Sequence, residues 1–315
     1  MTTFVVDDYI DPMTSFIAAD VPSMRDRTIV ITGANSGVGR ATATALAEKG
    51  ARVVLAVRNL EKGRVTAESI AGHTEVRHLD LADLSSVREF AEGFTDSIDV
   101  LINNAGISIP PLDYTVDGFE SQFGTNHLGH FALTNLLLPK VRERVVTVGS
   151  LAHLIGKIDF TDLNWRTRKY KPYTAYAQSK LANHVSAHEL QRRLAALGSP
   201  VRSVVAHPGI ATTNLMYADG LGLRYRLEKL VLQSFAHSAA AGALPSLYAA
   251  TADIPGDSYV GPSELMGMRG SPVLVKPARR TRHVEDARHL WKESENLTGT
   301  KFPVNALQSG DGAVR

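Results

Sequence analysis

The chain has 315 residues, 44% of them hydrophobic, enough for a large core in one domain or two small ones. With 34 basic residues against 32 acidic ones the net charge is only +2, which argues against an electrostatic nucleic-acid binder. No cysteine is present, so disulfides, thiolate nucleophiles and cysteine metal sites are excluded together.

Residues 1–24 read as an N-terminal extension. Its start, MTTFVVDDYIDPMTSF, carries acidic residues where a secretory signal needs basic ones, and no apolar run approaches a membrane span. The expectation is a cytoplasmic protein without membrane contact. Phe4, Val5, Val6, Phe16 and Ile17 either pack on the body as a short arm or belong to a loose leader.

Thr28 to Ile31 form a short, β-branched, buried strand. A turn follows with Gly33, Asn35, Ser36, Gly37, Val38, Gly39 and Arg40, then helix-forming residues up to Lys49. Strand, glycine turn and helix bring backbone N–H groups and a helix N-terminus to one point, where a pyrophosphate fits. The competing reading is a glycine-rich loop of any α/β protein.

A second strand, Ala51 to Val57, ends directly at Arg58. An acidic residue at this point would take a ribose 2′-hydroxyl; none is there. Arg58 is placed to meet a 2′-phosphate, with Arg40 in reach to help, which favours NADP over NAD. The alternative is that both arginines simply face solvent.

Glu61 to Ala71 predicts a surface helix, and Glu75 to Leu79 a third strand ending at Asp80-Leu81. Asp83 to Phe94 is a helix with Leu84, Val87 and Phe90 at helical spacing. Ile98 to Ile102 is a fourth strand, followed by Asn103, Asn104, Ala105 and Gly106, either a ligand-facing loop or a plain turn. Phe119 to Leu138 reads as one long helix containing Asn126. Val145 to Val148 is a fifth strand ending at Gly149-Ser150, and residues 154–172 are an irregular polar insert. Tyr173 to Leu197 is a helix, and Val201 to Ala206 a strand running into His207-Pro208-Gly209. Residues 210–235 form a lid over the site, an ordinary surface helix or a subunit contact. Ala239 to Ala250 is helical, Asp257 to Val260 a last strand, and the tail from about Asn305 frays. This alternation predicts an α/β, doubly wound parallel sheet with helices on both faces, in a single domain over 25–300.

Tyr176 and Lys180 are four apart and share a helix face. An ammonium beside a phenol lowers its pKa from about 10, so that it can give or take a proton near neutral pH. Ser150, at a strand end, is placed to hydrogen-bond the same substrate oxygen. The 11 histidines are dispersed without ligand spacing, so no metal is expected, and His127, His130, His153 and His184 read as structural or solvent-facing.

The set Thr32-Gly33-x-x-x-Gly37-x-Gly39, Asn103-Asn104-Ala105-Gly106, Ser150, Tyr176-x-x-x-Lys180 and Pro208-Gly209 with Thr213 resembles the short-chain dehydrogenase/reductase family over residues 26–262. Asn126 to Phe131 (NHLGHF), Ser150 to His153 and Tyr173 to Asn183 resemble its retinol dehydrogenase, protochlorophyllide reductase and WW-domain oxidoreductase group. The resemblance implies a Rossmann fold of strand order 3-2-1-4-5-6-7. It implies Tyr176 as proton donor and acceptor, Lys180 as its partner and a binder of the nicotinamide ribose, and Ser150 orienting the substrate oxygen. Asn126 would complete a proton relay, with a backbone carbonyl in a perturbed helix free to hold water. Asp80 and Leu81 would contact the adenine side, Asn103 to Gly106 would border the cofactor, and Pro208, Gly209 and Thr213 would lie near the nicotinamide amide. One departure is visible: Gly149 stands where a serine usually precedes the catalytic one, and little effect is expected. The expected activity is hydride transfer between NADPH and a small-molecule carbonyl or alcohol. Reduction of a carbon–carbon double bond and a non-catalytic cofactor-binding scaffold are the alternatives. The sequence shows no hydrophobic anchor like that of membrane-bound retinoid enzymes, which weakens retinol as the substrate; self-association is left open.

Overall fold

The computed structural model describes residues 15–209 and 238–308. The candidate lid at 210–235 and Thr213 lie outside the described residues. Eight strands form one sheet: β1 (Thr28–Thr32), β2 (Arg52–Val57), β3 (His73–His78), β4 (Ile98–Asn103), β5 (Val141–Val148), β6 (Arg202–Ala206), β7 (Tyr259–Glu264) and β8 (Arg269–Leu274), in the order 3-2-1-4-5-6-7-8. The first seven run parallel; β8 pairs antiparallel with β7 and was not foreseen. Its segment carries Pro272, which an edge strand tolerates but which removes the strand signature from the sequence.

The sheet is buried on both faces, as crossover helices require. The side chains of β1 alternate: Val30 joins Val54, Leu101 and Val145 on one face, while Ile29 and Ile31 join Val53, Leu55, Val100 and Ile102 on the other. The helices follow the strands: α1 (Gly37–Glu48), α2 (Leu60–Glu68), α3 (Leu84–Glu92), a single turn α4 (Ser121–Phe123), α5 (Gly129–Leu137), α6 (Pro172–Ala196), α7 (Ala239–Thr251), α8 (Val284–Thr298) and α9 (Val304–Gln308). α1 packs against α7 on one side of the sheet, and α6 against α8 on the other.

The long helix expected over Phe119 to Leu138 is interrupted. Gly124–Leu128 is a π-helical turn, closed by the Gly129 N–H on the Gly124 carbonyl. The backbone passes so near its neighbours here that a Cβ on Gly129 would stand 2.3 Å from the Leu81 carbonyl oxygen, and one on Gly124 2.5 Å from Thr115.

Part of the N-terminal extension belongs to the body: Val21 and Met24 are buried, and Phe16 meets the Tyr248 ring edge-on at 5.2 Å. At the other end Phe302 is buried edge-on against Trp291 and residues 304–308 are helical, while the rest of the tail expected to fray lies outside the described residues. Among the described residues no helix is long and apolar enough to cross a membrane.

Candidate active site

A cleft of about 780 Å³ runs along the carboxyl ends of β1 to β5, the place where open parallel sheets bind ligands. Gly33, Asn35, Ser36, Gly37, Val38 and Gly39 line one side, with Asp80, Leu81, Asn104, Ala105 and Gly106 beside them. Gly33 sits at φ 65°, and a Cβ on it would meet Ala105 at 2.9 Å. A Cβ on Gly39 would stand 2.4 Å from Asn104 Nδ2. Side chains at either place would close the turn; glycine keeps the backbone accessible. Ser36 starts α1 without a side-chain capping bond, so its hydroxyl does not occupy the first N–H groups of the helix. This arrangement fits the pyrophosphate of a nicotinamide dinucleotide.

At the end of β2, Arg58, Asn59 and Lys62 line the cleft together, and no carboxylate stands at that strand end. Asn59 caps α2 by accepting from the Lys62 N–H at 2.8 Å. Lys62 was missed in the sequence because it sits on the helix beyond the strand; its place at the third position of α2, after the capping Asn59, was the available signal. Arg40 differs from its expected role. It is exposed, donates to Ser69 Oγ at 3.1 Å, and is not among the lining residues. Asn103 also departs: it is buried and donates to Thr134 Oγ1 at 2.8 Å, away from the cleft. Pro208 lines the cleft, while Gly209 (φ 67°) turns its N–H to His207 Nδ1 at 3.2 Å.

Ser150 follows β5 and caps a short 3-10 turn over Leu151–Leu154, its Oγ accepting from the Ala152 N–H at 3.2 Å. Its carbonyl accepts from His153 Nδ1 at 2.7 Å. The Tyr176 phenol, which α6 brings in from the other side, lies near enough to the Ser150 hydroxyl to feel it. One turn on, Lys180 is buried; its ammonium donates to the Val148 carbonyl at 3.1 Å and lies 5.9 Å from the centre of the Tyr176 ring. Burial pushes the Tyr176 phenol up to about 12, against the opposing pull of the nearby Ser150 hydroxyl. Burial also brings Lys180 down to about 8. The expected lowering of the phenol by the lysine is therefore not the direction found. The ammonium is directed at the Val148 carbonyl, and desolvation of the phenolate dominates.

Asn126 lies in the π turn, fully buried behind Gly106. Its Oδ1 accepts from the Ile107 N–H at 2.8 Å, and its Nδ2 donates to the Ile107 carbonyl and to Ser179 Oγ, both at 3.0 Å. The four histidines read as structural or solvent-facing are all buried. The polar insert is organised around Asp162, whose carboxylate accepts from the N–H groups of Arg166, Thr167 and Arg168. The described residues contain no group of histidines and carboxylates able to hold a metal ion.

Comparison with known proteins identifies the family. A family profile described as short chain dehydrogenase matches residues 27–220. Human retinol dehydrogenase 13 is 41% identical over 95% of this chain and 92% of its own length. Mouse polyprenol dehydrogenase is 40% identical over 89% of this chain and 86% of its own. A crystal structure of an uncharacterized protein from Mycobacterium paratuberculosis superposes with a TM-score of 0.82 at 53% identity, covering 92% of this chain and all of that one (100%). A short chain dehydrogenase from Burkholderia cenocepacia in complex with NADP shares the fold, with a TM-score of 0.58 at 22% identity over 74% of this chain and 95% of that one. By this profile and these relatives the chain belongs to the short-chain dehydrogenase/reductase family, in its retinol dehydrogenase-like group.

Proposed function

We propose that this oxidoreductase transfers hydride between NADPH and a carbonyl or alcohol carbon, with Tyr176 moving the proton. The observation that carries this reading is the buried Lys180 ammonium 5.9 Å from the Tyr176 ring in the cleft at the carboxyl edge of the sheet, beside the strand end that bears Ser150. The nicotinamide, when bound, supplies or receives the hydride. Asn35 to Gly39 would hold its pyrophosphate, and Lys180 its ribose. Ser150 positions the substrate oxygen, and the Tyr176 phenol donates its proton there in reduction and takes it back in oxidation. Holding the reactants in line and hydrogen-bonding the oxygen as charge develops supplies the rate.

Arg58 and Lys62, with no carboxylate at the end of β2, support NADP over NAD, since two cations attract a 2′-phosphate that a carboxylate would repel. The reading is tested by following NADPH consumption against a panel of lipophilic aldehydes and ketones and identifying the product. A new alcohol is expected. A saturated carbon–carbon bond with the carbonyl intact, or no consumption by protein that binds the cofactor, contradicts it.

A further inference from the structure

His130, on α5, is used by neither proton transfer nor cofactor contact in the reading above, and it is buried. Its Nε2 lies 2.9 Å from Thr32 Oγ1, and its Nδ1 lies 3.0 Å from the Asn126 carbonyl oxygen. The partners assign the tautomer. A carbonyl only accepts, so Nδ1 carries the proton. Thr32 Oγ1 already accepts from the N–H groups of Asn104 and Ala105, both at 2.9 Å, so its hydroxyl proton is left to donate to Nε2.

The loop after β4 is therefore held at two places. Thr32 grips the backbone of Asn104 and Ala105, and the Asn126 side chain grips both backbone groups of Ile107. The His130 ring joins the two grips. It also fixes the backbone of the π turn at the Asn126 carbonyl. A buried ring with both nitrogens satisfied has one orientation, so it ties together β1, the 104–107 loop and the π turn.

We propose that His130 is a positioning residue that locks the cofactor-bordering loop to Asn126, one nitrogen setting the loop through Thr32 and the other setting the π turn. The inference rests on the proposed function for its catalytic consequence, though not for the lock itself.

The test separates the two nitrogens. In His130→Leu both bonds go. In His130→Asn the short amide reaches the carbonyl one turn back, as Asn135 Nδ2 reaches the Phe131 carbonyl at 2.9 Å in the same helix, but it does not reach Thr32. Hydrogen exchange of the 103–107 amides in cofactor-free protein reads the lock directly. Faster exchange is expected in both variants at melting temperatures close to wild type. Turnover should fall about 10- to 100-fold in His130→Leu and recover to within about threefold in His130→Asn, while NADPH affinity stays weakened in both. Unchanged exchange in His130→Leu overturns the lock. Equal losses of turnover in both variants overturn the separate role of the carbonyl bond. Wild-type protein that binds neither NADPH nor NADH, with exchange altered as expected, would keep the lock and sink the proposed function instead.

Discussion

His184 occupies the space that a side chain at position 149 would need: a Cβ on Gly149 would lie 2.3 Å from His184 Nε2. The His184 ring is itself fixed, stacked on His153 at 3.9 Å and facing the edge of Tyr259. His153 in turn holds the Ser150 carbonyl. The glycine that departs from the family's usual serine is thus matched to a buried histidine behind the strand end that bears Ser150. Gly149→Ser should destabilise the fold by about 1–3 kcal/mol through overpacking. Combining it with His184→Ala should cost less than the sum of the two single changes, because the cavity accepts the new side chain. Chemical denaturation of the four proteins measures this; additive costs would show that the two positions do not compete for space.

Tyr176→Phe removes the proposed proton donor and leaves the packing of α6. Turnover should fall at least about 100-fold, with NADPH affinity and melting temperature unchanged. Equal turnover in the variant would move the proton-transfer role elsewhere.

The pH profile follows from the two buried groups. With the phenol near 12, Tyr176 stays protonated through neutral pH, so reduction should be flat from about pH 6 to 8. Lys180, brought down to about 8, loses its charge above that point, and reduction should decline there. Lys180→Ala should abolish this alkaline limb as well as lowering the rate. A wild-type profile flat to pH 10 contradicts the assignment.

Acid stability is set by the buried histidines. Burial brings His127 and His207 down to about 3 and His130 to about 4, below the unfolded value near 6.5. Between those limits the unfolded chain binds protons that the folded one does not, so stability present above pH 6.5 is lost as pH falls. Each histidine contributes up to about 1.4 kcal/mol per pH unit. Urea midpoints should therefore drop steeply from pH 6.5 to 5, and less steeply in His127→Gln. Midpoints constant over that range would mean that these rings titrate normally in the fold.

Much of this was legible because it is periodic or punctuated. The β-branched run Thr28 to Ile31 and the glycines at 33, 37 and 39 dictate the first strand and its turn. The Tyr176–Lys180 spacing places both on one helix face. What was not legible depends on tertiary contact. The π turn at Asn126 arises where the chain passes the Leu81 backbone; the family resemblance implied a perturbed helix there, whereas residue periodicity read one unbroken helix. Arg40 looked like a phosphate partner beside the turn, yet its side chain goes to Ser69 across the surface. Asn103 and Asn104 are adjacent polar residues at a strand end, and the alternation of the strand sends the first inward to Thr134. The direction of the Tyr176 shift needed the burial of the phenol and the Val148 carbonyl on Lys180, neither visible in spacing.

The central claim, a dinucleotide cleft that reads the 2′-phosphate through the end of β2, is tested most directly by fluorescence titration of wild type and Arg58→Ala with NADPH and NADH. The account predicts NADPH binding at least about tenfold tighter than NADH, and loss of most of that difference in Arg58→Ala while NADH affinity holds. Equal affinity for both cofactors, unchanged by the substitution, would contradict it.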